Sequence, residues 1–99
     1  MKDHGDLIRN LEVAVLDGPG TAEAKLRRAA ASGGEVPAVL RTYVQKVRHT
    51  AWQVTDEEVQ ALRTAGYTED QIFEITVATA LGAALHRLRL GQRALRGGK

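Results

Sequence analysis

Four side chains on one predicted helix carry the functional chemistry that this sequence offers. They are Glu74, Thr79, His86 and Arg89. Glu74 lies on the flank of an apolar stripe, beside Val77 and Leu81, and the position one turn ahead is Ala78 rather than a base. Burial there is expected to raise its pKa and suit it to general acid or base work. His86 shares a helix face with Thr79, Gly82, Arg89 and Arg93, a face able to line a small polar cleft. Gly82 would give room in that cleft, and Arg89 and Thr79 would hold the carboxylate of a substrate. Glu74 and His86 are therefore the candidate catalytic pair, and a small anion is the candidate ligand.

Other chemistries are excluded or disfavoured by what the chain lacks. It has no cysteine among its 99 residues, so disulfides, thiol peroxidase catalysis and thiolate zinc sites are out. The three histidines, His4, His49 and His86, have neither H-x-x-x-H nor H-x-x-E spacing, and no metal or other cofactor is expected. His4 reads as part of a loose terminus and His49 as a cation at a helix end. No acidic residue follows Glu74, whereas Arg87, Arg89, Arg93, Arg96 and Lys99 do. Such cations complement the helix dipole and a solvated face. Anion or nucleic-acid binding through this basic helix is the weaker alternative, since no nucleic-acid-binding signature accompanies it.

Those side chains are positioned by the stretch from Val54 to Leu95. Thr55 and Glu58 have capping-box spacing, with Val54 and Val59 flanking as a hydrophobic staple. Gly66 can end that helix in a left-handed conformation. The same grammar then repeats, with Thr68 and Gln71 as the box and Tyr67 and Ile72 as the staple. A long helix follows, from Glu69 to about Arg96. It has two apolar faces: Phe73, Val77, Leu81, Ala84, Leu88 and Leu95, taken as the core stripe, and a weaker set of Ile72, Thr76, Ala83, Leu90 and Ala94. A helix apolar on two sides is buried or shared between subunits. In so short a chain the second face predicts a homo-oligomer.

Upstream, the pattern predicts three more helices. Leu7, Ile8, Leu11, Ala14 and Val15 make the stripe of the first, which begins near Asp6 and stops at Asp17-Gly-Pro-Gly20. Thr21 is the expected cap of the second, whose narrow face is Ala22, Leu26, Ala29 and Ala30, with Arg27 and Arg28 pointing into water. Ser32-Gly33-Gly34 stops it. Pro37 suits the first turn of the third, which buries Val36, Val39, Leu40, Tyr43, Val44 and Val47. Trp52 reads as a core or interface anchor. The whole is one all-α domain over 1–99, with two short helices in 1–35 and a helical core in 36–96. No run reaches the roughly 20 apolar residues that a membrane span needs, and Met1–Asp6 has no apolar leader. A cytoplasmic location is the expectation.

The run TDEEVQALRTAGYTEDQIFEITVATALGAALHRL, preceded by VLRTYVQKV, resembles the later half of the carboxymuconolactone decarboxylase and alkylhydroperoxidase D-like (AhpD-like) family. The shared features are the T-D-E-E and A-L-R-x-A-G-Y phrases, the second acidic cap and an alanine-rich helix closing on R-L. The resemblance implies an AhpD-like helical bundle that assembles as a homo-oligomer, often a trimer or hexamer. The peroxidase branch works through a C-x-x-C pair, which this chain lacks, and His86 stands where the related helix often has Asn. The expected function is thus a non-redox relative, an oligomeric binding or scaffold protein. The alternative is a cysteine-free enzyme of the lyase or decarboxylase type, with Glu74 and His86 transferring protons.

Overall fold

The computed structural model describes residues 4–96, with side chains from residue 6, and Lys99 lies outside this range. Its described residues are all helical or loop, with no strand. Five α-helices follow one another: α1 (His4–Glu12), α2 (Ala24–Ser32), α3 (Ala38–Thr50), α4 (Asp56–Thr64) and α5 (Glu69–Leu95). A π-helical turn, Val13–Asp17, extends α1, and a 3-10 turn, Ala51–Gln53, follows α3. His4 begins α1 rather than lying in a loose terminus. No helix among the described residues is long and apolar enough to cross a membrane.

Both capping boxes form in full. Thr55 accepts from the Glu58 backbone N–H while its own N–H donates to the Glu58 carboxylate, and Thr68 and Gln71 do the same. Between them α4 ends in a Schellman turn. Tyr67 N–H reaches the Leu62 carbonyl at 3.1 Å and Gly66 N–H the Arg63 carbonyl at 3.0 Å. This geometry requires Gly66 at φ 110°. The resulting corner folds α4 back beside the first turns of α5. An ion pair from Lys46 to Glu58, 2.8 Å long, ties α3 to the same cap.

The core lies where α2 and α3 cross α5. Ala30, Leu40, Ile75, Ala78 and Thr79 are fully buried, joined by Tyr43, Val44, Val47, Leu62 and Ile72. Tyr43 and Thr76 share a hydroxyl–hydroxyl bond of 2.6 Å beside this cluster. The closest approach is between α2 and α5. A Cβ on Gly82 would stand 2.0 Å from the Ala31 carbonyl oxygen, so only glycine permits the crossing.

Several sequence expectations are reversed. The expected core stripe of α5 lies largely outside: Phe73 is 69% and Leu95 89% exposed and Ala84 and Leu88 are exposed too, while Ile72, Ile75, Thr79 and Ala83 face the core. Of the second stripe only Ile72 and Ala83 are buried, and Leu90 and Ala94 are exposed. Helical periodicity defines faces but not which of them meets a neighbour, and the Gly82 crossing decides it. Val39 is exposed. Trp52 is 79% exposed on the 3-10 turn and anchors no core. Pro37 is the N-cap of α3 rather than a residue of its first turn. Thr21 does not cap α2, whose N-cap is Glu23.

The molecule measures 47 × 27 × 21 Å, with a radius of gyration of 14.8 Å. A compact chain of this length would have about 13 Å. The difference comes from α5, in which every residue from His86 to Arg96 is exposed. Those turns contribute no buried residue; α1 lies alongside them, and Arg87 reaches back to the Arg48 carbonyl of α3 at 3.0 Å.

Candidate functional site

A polar cleft of about 550 Å³ lies open to solvent between α1, α2, α3 and α5. Arg28, Arg48, His86 and Arg89 converge on it, with Glu12 as the carboxylate in its lining. Each arginine comes from a different helix, so the site exists only once the bundle is assembled. Arg28 is held by both oxygens of Asp17, a bidentate pair that lowers the Asp17 pKa. Arg89 donates to Glu12 at 3.1 Å.

Arg48 differs from these two. Its Nη2 donates to the Ala31 and Ala30 carbonyls at the C-terminal end of α2. Carbonyls carry only the partial negative charge of the helix end. Among the described residues Arg48 pairs with no carboxylate, and its buried Nε has no hydrogen-bond partner. A buried donor left unsatisfied costs about 1–3 kcal/mol. The cleft therefore contains one guanidinium whose charge is not offset by an ion pair. Gly33, at φ 77°, turns the chain sharply after α2 and packs against this guanidinium.

The residues predicted from sequence separate into three places. His86 and Arg89 meet in the cleft as expected, His86 exposed at its edge. Gly82 lines it too, but its missing side chain makes room for Ala31 rather than for a ligand. Thr79 is not part of the cleft. It is fully buried and donates to the Ile75 carbonyl at 2.7 Å.

Glu74 is elsewhere, beside a separate crevice of about 160 Å³ that it shares with Arg27. It and His86 are twelve residues apart on α5, about 18 Å along the axis. Its carboxylate is engaged by the loop before α2: Ala22 N–H donates at 2.8 Å, Thr21 N–H at 3.0 Å and the Thr21 hydroxyl at 3.0 Å. The upward pKa shift expected from burial is reversed. These donors, Ala22 N–H first, hold the Glu74 carboxyl below the usual carboxylate range. Arg27, expected in water, is only 4% exposed. It donates to the Ala22, Val15 and Gly18 carbonyls at 3.1, 2.8 and 2.6 Å.

Sequence reasoning did not find Arg48, which reads as one more cation in the last turn of its helix. The signal was indirect: a Ser-Gly-Gly stop leaves carbonyls that need a donor, but nothing local says which one arrives. No group of three or more His, Cys, Asp or Glu among the described residues could hold a metal ion.

The fold is thus a small all-helical bundle with a long last helix and a cationic cleft. Scans against protein-family models, curated proteins and solved structures give no match to the chain.

Proposed function

We propose that this chain is a non-redox binding protein whose ligand is a small carboxylate or phosphate held in the cleft between Arg28, Arg48 and Arg89. The AhpD-like resemblance supports a binding role without peroxidase chemistry, since the chain has no thiol. The observation that carries the reading is Arg48, a guanidinium lining the cleft with no carboxylate partner among the described residues. Arginine presents planar donors that match the oxygens of carboxylate and phosphate. Arg28 and Arg89, already fixed by Asp17 and Glu12, stand ready on either side at little cost in side-chain entropy. Glu74 is committed to the loop before α2, so the proton-transfer alternative draws no support from this geometry.

The test is thermal unfolding of the chain with inorganic phosphate and, separately, a small dicarboxylate, at low and high sodium chloride. A ligand that binds only the folded state raises the midpoint with its concentration. The expected result is a rise at low salt that shrinks at high salt and is lost in Arg48→Met. No rise with either probe at low salt overturns the reading.

A further inference from the structure

We propose that α5 is a dimerisation helix, pairing antiparallel with α5 of a second copy of this chain about a two-fold axis at Ala84. Three observations carry this, and none of them involves the cleft.

The first is placement. An apolar face of α5 points away from the core, and no residue from His86 to Arg96 is buried. Phe73, Leu88 and Leu95 are 69%, 42% and 89% exposed, Ala80, Ala84 and Gly91 are exposed, and Val77 is half-buried. Leu7 and Leu11 of α1, 65% and 48% exposed, add apolar surface on the helix beside it. A contiguous face of this kind on a small chain marks an interaction surface.

The second is register. Positions 73, 77, 80, 84, 88, 91 and 95 are spaced 4-3-4-4-3-4, the same read in either direction. They form two eleven-residue steps, and at 3.67 residues per turn such a stripe runs almost straight along a helix. A two-fold axis at Ala84 maps the set onto itself. Phe73 then faces Leu95 of the partner subunit, Val77 faces Gly91 of the partner subunit, and Ala80 faces Leu88 of the partner subunit. Beyond the apolar end pairs, large meets small, and the alanine at the axis lets the backbones come close. The self-complementarity that a two-fold interface demands is written into one helix.

The third is charge. The first turn of α5 carries Asp70 and Glu69, the latter also paired with Arg63 at 3.0 Å, and its last turn carries Arg93, with Arg96 as its C-cap. Antiparallel pairing lays the acidic end of each helix beside the basic end of the other and opposes the two helix dipoles. Parallel pairing would set like charges together. The occupant that fits this face is a second copy, not a partner of uniform charge.

The absence of native cysteine makes the test direct. Light scattering behind a sizing column should give twice the chain mass, with Ala84→Glu at half that value and unchanged helicity by circular dichroism. Under mild oxidation Ala84→Cys should cross-link to itself, because the two copies of residue 84 meet at the axis. Val77→Cys should not, since its two copies lie about 21 Å apart along the pair. A wild-type chain that stays monomeric, or Val77→Cys that cross-links as readily as Ala84→Cys, overturns the proposal. Arg48→Met, which tests the cleft, should leave the mass unchanged, so the two readings fail independently.

Discussion

Glu74 and Arg27 grip a single residue from opposite sides. Ala22 N–H donates to Glu74 Oε1 at 2.8 Å, and the Ala22 carbonyl accepts from Arg27 Nε at 3.1 Å. The acid comes from α5 and the base from α2, so the loop that precedes α2 is clamped between the two helices. Gly20 allows the carboxylate in, for a Cβ there would stand 2.5 Å from Oε1. Two charges that sequence reading assigns to catalysis and to solvent are instead spent on positioning a loop.

Glu74→Gln should destabilise the protein by about 1–2 kcal/mol at neutral pH, since charge-assisted hydrogen bonds weaken on loss of the charge and this site is only half-buried. The folded pKa is depressed, so the stabilisation is fully present above the unfolded value of about 4.3 and disappears as pH falls through the lower folded value. Urea unfolding of wild type and variant at pH 7 and near pH 3 checks this. The gap between them should narrow at the acidic end.

Acid should act on the α3–α4 junction in the same direction. The Lys46 ammonium, and then the Thr55 N–H, hold Glu58 below the usual carboxylate range. Lys46→Met removes the leading cause, so the Glu58 titration followed by carboxyl NMR should move up towards the ordinary value. A titration that does not move would show the capping hydrogen bonds alone to be responsible.

Thr55→Ala and Thr68→Ala should each cost about 1 kcal/mol, the usual worth of an N-cap side chain. Equilibrium unfolding of the two single variants checks this.

Gly82→Ala should be the most damaging small substitution on α5. The added methyl would stand 2.0 Å from the Ala31 carbonyl oxygen, and backbone on both sides must move. A loss of about 2–3 kcal/mol is expected, at the upper end for overpacking. Gly66→Ala, where φ is 110° but nothing lies within 4 Å of the added methyl, should cost only about 1–2 kcal/mol. Thermal unfolding of the two variants side by side separates a clash from backbone strain.

The fold was legible wherever the determinants were local. Thr55, Glu58, Gly66, Thr68 and Gln71 act within a few residues of themselves, and every one of their bonds is present. What failed depended on contacts made across the chain. Thr21 resembles a cap, but its N–H and hydroxyl belong to Glu74, fifty-three residues away. Arg27 is buried because the π-helical turn and the following loop bring three carbonyls to it, which no spacing announces. In the cleft, His86 and Arg89 were visible as neighbours on one helix face, whereas Arg28 and Arg48 arrive from other helices.

One missing side chain has the widest reach. Gly82 keys α5 into the bundle as a slot keys a shaft: the helix seats on Ala31 at a single angle of rotation. Turning it by one residue, about 100°, would bring Leu81 or Ala83 against that backbone and force the helices apart. The slot thereby fixes which apolar stripe turns inward and which stays outside, and it sets His86 and Arg89 on the cleft side. A glycine with no chemistry of its own determines where the chemistry of the whole helix points.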